Sequence, residues 1–226
     1  MQSSFRVNLL TIFSVLCLSL SACGPMAEGA IIVTFGTSVP DPMFAGTGGY
    51  VDVFVRSDIL AGELLDGYQV GVTIAPGGAT PGPAGGLIFS AMQADAELTD
   101  PNYVFFGNSF DTNNAIPVGT VTGGGTGYIG SDITNNFIPV TLPNTNRLLF
   151  RLDLSAVSEG TYTISVDPGV TSFFTNQLDP VGTAISFSSV SGNMTVAPEP
   201  ASTAFLLVTL GGVALRRRFF RRQPTV

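Results

Sequence analysis

The sequence predicts an all-β protein: a single antiparallel β-sandwich, jelly-roll or immunoglobulin-like, flanked by a short apolar helix at each end. Three observations predict it. Between residues 30 and 196 apolar and polar residues alternate at period two, as half-buried antiparallel strands require. Turn residues drawn from 27 glycines and 15 prolines separate these segments, and no long amphipathic helix interrupts them. Each end of the chain, by contrast, holds a short apolar run with arginine beside it.

Taken in order, Arg6 and the apolar stretch 7–20, followed by small residues, read as a secretory signal peptide over residues 1–29. Its end has two readings. Leu20-Ser21-Ala22-Cys23 has the form of a lipobox, in which Cys23 is lipidated and becomes the first mature residue. Cleavage after Gly29, with Ala27 at the −3 position, is the ordinary alternative.

The domain over residues 30–196 opens with a strand at 31–35. A second follows the Pro40-Asp41-Pro42 turn, with Val51, Val53 and Val55 on one face and Asp52, Phe54 and Arg56 on the other. Tyr68, Val70, Val72 and Ile74 repeat the pattern. After a Gly/Pro loop at 75–86 come a short strand at 87–91 and a helical turn at 95–100. Residues 103–136 are the least regular part, read as loops and short strands. Alternation returns with Leu148, Phe150, Leu152 and Leu154 facing one way, then with Tyr162, Ile164 and Val166. Asp167-Pro168-Gly169 reads as a turn, and strands at 185–187 and 191–196 close the domain.

The tail, residues 197–226, has three parts. Pro198, Glu199 and Pro200 form an extended, non-helical segment, because proline fixes its own φ and restricts the residue before it. The apolar run 201–215 would span about 22 Å as a helix, short of the ~30 Å hydrocarbon core. Arg216, Arg217, Arg218, Arg221 and Arg222 form a stop-transfer cluster that keeps the C-terminus cytoplasmic and puts the domain across the membrane.

This order closely resembles the PEP-CTERM sorting signal of Gram-negative bacteria that make exopolysaccharide. The resemblance implies processing near Pro198, Glu199 and Pro200 by an exosortase, a membrane cysteine protease, with those residues recognised rather than catalytic. It also implies export across the inner membrane, transient anchoring by the tail, and delivery to the cell surface or extracellular matrix. More weakly, Asp52–Val55 with Gly67–Val72, and Leu149–Leu154 with Gly160–Val166, resemble the opening and closing strands of cohesin-like and carbohydrate-binding-module-like sandwiches.

Composition limits the chemistry. The chain has no histidine, lysine or tryptophan, and both cysteines, Cys17 and Cys23, precede the domain. Serine-type nucleophilic catalysis lacks its usual base, and zinc lacks thiolate and imidazole ligands. Residues 24–196 carry three arginines against fifteen acids, a net charge of −12 that repels nucleic acid. A carboxylate-pair glycosidase has formal candidates in Asp66, Asp95, Glu97, Asp100, Asp111, Asp132 and Asp153, but solvated surface acids account for them more simply.

No cofactor is expected. Calcium is the ion such carboxylates suit, with Asp95, Glu97 and Asp100, or Asp111, Asn113 and Asn114, as candidate clusters; turn residues bonding their own backbone are the plainer reading. The expectation is a non-enzymatic, structural or adhesive protein. Its alternative is a polysaccharide- or protein-binding module using loops of residues 100–140, with Tyr103 and Tyr128 as the exposed contacts. Tyr68 and Tyr162 are read as core.

Overall fold

Burial follows the alternation. In the segment Gly48–Ser57, Val51, Val53 and Val55 are fully buried and Tyr50, Asp52, Phe54 and Arg56 only partly so. Residues Tyr68, Val70, Val72 and Ile74 are likewise buried. The computed structural model describes residues 30–110, 119–175 and 183–199. The expected signal peptide with Cys23, Asp111, Asn113 and Asn114, Pro200, the apolar run 201–215 and the arginine cluster lie outside the described residues.

In chain order the strands are β1 (Ile31–Val39), β2 (Met43–Phe44), β3 (Gly48–Ser57), β4 (Glu63–Leu65), β5 (Gly67–Pro76), β6 (Leu87–Phe89) and β7 (Gly119–Thr122). There follow β8 (Gly127–Ile133), β9 (Val140–Leu142), β10 (Arg147–Ala156), β11 (Gly160–Thr175), β12 (Thr183–Ile185), β13 (Phe187–Ser189) and β14 (Gly192–Ala197). One sheet has the order β13-β1-β3-β10-β6 and the other β2-β14-β11-β5-β8-β7, with β12 also on β11. Among the described strands pairing is antiparallel except for two short parallel pairs, β13 on β1 and β2 on β14. A separate ribbon pairs β4 with β9.

The two sheets meet through a chain of aromatic rings. Tyr103 contacts Phe105 at 6.2 Å between centroids, Phe105 stacks on Tyr68 at 5.6 Å, and Tyr68 meets Phe150 edge-on at 5.3 Å. Phe150 continues to Tyr128 at 5.4 Å, and Tyr128 to Phe89 at 5.9 Å. Edge-to-face pairs of this kind contribute about 0.5–1.5 kcal/mol beyond area burial.

Two sequence expectations are corrected here. Asp167-Pro168-Gly169 does not end a strand, because β11 runs through it for 16 residues. Its pairing with β5 shifts register between Asp167 and Ser172. The extra residues form a bulge closed by Gly169 N donating to Asp167 Oδ1 and Thr171 Oγ1 donating to the Asp167 carbonyl. Leu148 also leaves the face of Phe150, Leu152 and Leu154. A register shift between Leu148 and Phe150 sets Leu148 opposite Phe54, and Leu149 enters the core instead.

The ends of the sandwich are distinct. Ala30 exchanges hydrogen bonds with Asp58 just past the end of β3, while Ala197 lies beside Phe44 and Ala45, near where β3 begins. The chain thus enters and leaves the domain at opposite ends, separated by the length of a ten-residue strand, about 33 Å.

Candidate functional site

The acids and tyrosines singled out in the sequence go mostly inward. Tyr103 is 0% exposed and Tyr128 1%, so neither offers a ring to a sugar or a protein. Loop-rich sequence around them does not leave them outside: the segment 102–104 lies along β10, with Leu148 N donating to the Asn102 carbonyl and Val104 N to the Leu148 carbonyl. Tyr128 sits within β8, itself paired on both sides. Tyr68 and Tyr162 are core, as expected.

Asp66, Glu97 and Asp132 are buried rather than solvated. The Tyr103 hydroxyl donates to Asp132 Oδ2 at 2.6 Å and lies 2.9 Å from the Tyr68 hydroxyl, while Ile133 N donates to Asp132 Oδ1. Burial, then the neighbouring phenol and Asp132, push the Tyr68 phenol well above its ordinary pKa, and burial and Asp132 do the same to Tyr103. Both phenols therefore stay protonated, and Tyr103 acts as a donor to a buried carboxylate. This is a satisfied polar network within the core.

Asp95, Glu97 and Asp100 do not form a calcium cradle. Glu97 rides on a one-turn 3-10 helix, Ala96–Thr99, that turns its carboxylate onto β10, where Oε2 accepts from Arg151 N at 3.3 Å. Asp100 Oδ1 accepts from Asn102 N, and its Oδ2 lies 3.9 Å from Arg151 Nη2. Among the described residues no group of three His, Cys, Asp or Glu side chains could hold a metal ion.

What these groups do is seal an edge. Beyond β6, the backbone of β10 is met by Ser90 N and Gln93 Nε2 donating to the Asp153 carbonyl, by Asp153 N donating to Gln93 Oε1, and by Glu97. Side chains thus finish a ladder that would otherwise offer itself to another strand. On the same face Arg151 makes a bidentate pair with Asp52 at 2.8 and 3.0 Å, and its guanidinium stacks 4.7 Å from the Tyr50 ring centre.

The exposed aromatic surface lies where loops 102–110 and 134–140 meet, at the end of the sandwich opposite the tail. Asn135 N donates to the Asn108 carbonyl at 2.6 Å, Asn108 Nδ2 reaches the Ile138 carbonyl at 3.4 Å, and Ser109 bridges Thr134. These bonds tie the two loops together. They leave Phe106 51%, Phe137 41% and Ile138 60% exposed, with Phe110 beside them. Leu64 of β4, opposite Thr141, is also exposed.

Phe137 stands at φ 55, a left-handed conformation that bulky residues avoid at a cost of about 1–3 kcal/mol. The exposed rings within residues 100–140 are Phe106, Phe110 and Phe137; Tyr103 and Tyr128, expected there as contacts, are buried. No periodic signal marks Phe106: Tyr103, Val104 and Phe105 are all buried in a run of turns, and Phe106 is the first of the four to face out. Phe137-Ile138 follows directly on an Asn-Asn turn, which exposes both.

No protein-family model matches this chain, and no curated protein matches it. Among solved structures, it aligns with a type I cohesin–dockerin complex from Clostridium thermocellum, at 10% identity and TM-score 0.48 over 75% of this chain and 95% of the other. It also aligns with the seventh ScaB type I cohesin of Pseudobacteroides cellulosolvens, at 14% identity and TM-score 0.47 over 75% and 94%. A third is the cohesin module of a Clostridium perfringens family 33 glycoside hydrolase, at 10% identity and TM-score 0.44 over 76% and 98%.

Proposed function

We propose that this chain is an exported, non-enzymatic β-sandwich, sorted by an exosortase to the cell surface or exopolysaccharide matrix, where it holds to polysaccharide or protein through its loop end. The observation that carries the reading is the opposition of two ends. The segment entering Pro198-Glu199 leaves beside β2, and the exposed Phe106, Phe137 and Ile138 lie at the far end of β3. A tail that is membrane-proximal during processing leaves that apolar end facing outward. Exposed apolar side chains on two loops tied to each other, on a domain this acidic, support a contact surface there.

The same opposition separates the tail route from lipidation at Cys23. Ala30 lies at the loop end, so a lipid seven residues upstream would tether that end to the membrane. The aromatic surface would then face the bilayer, which disfavours a permanent lipid anchor in an outward-facing contact module.

Retention in the native host tests the contact role. Replacing the exposed rings together, Phe106→Ser, Phe137→Asn and Ile138→Ser, is expected to leave Tm within a few degrees, because the residues are exposed and asparagine tolerates left-handed φ. The share of protein held in the surface and polysaccharide fraction should fall about tenfold, with the remainder in the medium, the loss expected when apolar anchors worth ~1.4 kcal/mol or more are removed. Unchanged retention with unchanged Tm would remove the loop end from the function.

A further inference from the structure

The sandwich and the glutamate of the Pro-Glu-Pro motif are in contact. β14 lies between β11 and β2: Val196 pairs with Gly160 on one side and Met43 on the other, and Ala197 pairs with Phe44. Ala45 N donates to the Ala197 carbonyl at 2.9 Å. The turn that follows is itself held down, with Gly46 N donating to the Ala156 carbonyl and Ala156 N to the Thr47 carbonyl. Val196 and Met194 are core side chains, each 2% exposed.

Glu199 completes the contact. Its carboxylate lies over Gly46, so close that a Cβ built there would come within 2.8 Å of Oε1. Gly46 has φ 80, which glycine adopts freely and other residues do not. The backbone conformation and the missing side chain together make a seat for the glutamate of the motif. From Val196 to Ala201, where the apolar run begins, the chain reaches at most about 17 Å when extended.

We propose that the turn 44–47 and the edge of β2 form a docking surface for residues 196–199 of the chain, up to the glutamate of the Pro-Glu-Pro motif, and that their undocking gates proteolytic processing at the motif. The inference rests on the sorting reading above. A protease takes its substrate as an extended strand on both sides of the scissile bond, and cleavage concentrates where backbone is exposed and mobile. Here the residues just upstream of the motif already belong to a ladder, Val196 paired on both sides and Ala197 on one. Cutting then follows the fraction of time this end of β14 is open, and that fraction falls once the sandwich has folded. Folding of the domain thereby delays release from the membrane.

A spacer tests this in the full chain. An eight-residue Gly/Ser insertion between Ala197 and Pro198 leaves every core residue in place and frees the motif from its seat. Pulse-chase in the native host should show conversion to the shortened form roughly tenfold faster, the order expected when one or two ladder hydrogen bonds no longer have to open. Equal or slower conversion of the spaced chain would overturn the gate while leaving the sorting reading intact. Absence of a shortened form from both chains would overturn the sorting reading and the gate with it.

Discussion

Tyr103→Ala is expected to destabilise the domain by about 3–5 kcal/mol, the range for removing a large buried aromatic side chain. The ring is fully buried against Phe105, and its hydroxyl is the donor to Asp132 Oδ2 and the partner of the Tyr68 hydroxyl. The cavity term and the loss of a charge-assisted hydrogen bond to a buried carboxylate act together. Tyr103→Phe separates them: it keeps the ring and removes only the hydroxyl, and should cost about 1–3 kcal/mol. Urea unfolding of both variants measures this. Loss of glycan or partner binding with unchanged stability would put Tyr103 back on a contact surface.

The second large effect is a dependence on pH carried by Glu97. Its burial, reinforced by the nearby Asp95 and Asp153 carboxylates and opposed by hydrogen bonds from backbone N–H groups, raises its carboxyl to about 7 from an ordinary 4.5. Between these values the folded chain holds a proton that the unfolded chain has released. Stability from this group is therefore greatest below pH 4.5, falls as pH rises toward 7, and is flat above that. The range amounts to roughly 3 kcal/mol by linkage. Glu97→Gln keeps an oxygen for Arg151 N and removes the charge. It should be more stable than the parent at pH 8 by an amount of that order, with little difference at pH 4.5. Chemical denaturation at the two values reads this directly, and equal destabilisation by Glu97→Gln at both would contradict it.

These two results bear on how far the sequence could be read. β3 and β5 were legible because their alternation is unbroken, so that each second residue from Val51 to Val55 and from Tyr68 to Ile74 is buried. β10 was misread at one position because a bulge adds a residue without leaving any mark in composition: Leu148, Leu149 and Phe150 are equally apolar. The Asp167-Pro168-Gly169 turn chemistry was right locally, since Asp167 does close an Asx turn. What the local signal lacks is the β5 strand that lets β11 resume beyond it.

The buried acids were illegible for a different reason. Glu97 meets the backbone of a residue 54 positions away, and Asp132 a hydroxyl 29 away, so the partners that make burial tolerable are invisible to any local window. The looseness of its neighbourhood in sequence points Tyr103 to the surface. That neighbourhood folds back along β10 and becomes core.

The candidate site divides in the same way. That the loops of 100–140 hold the exposed aromatics follows from their being the irregular part of an otherwise regular sandwich. Which rings face out depends on the hydrogen bonds joining Asn108 to Asn135 and Ile138, a tertiary fact. The seat of Glu199 on Gly46 likewise joins residues 153 positions apart in sequence, and only the parallel pairing of β2 with β14 brings them together.

Intact-mass analysis of the protein recovered from the surface and medium of its native host tests the central claim most directly. The account predicts a chain that begins at Ala30, or at a lipidated Cys23, and ends at or close to Pro198-Glu199-Pro200, without the apolar run and its arginines. A chain found in the cytosol with the mass of residues 1–226 would contradict it.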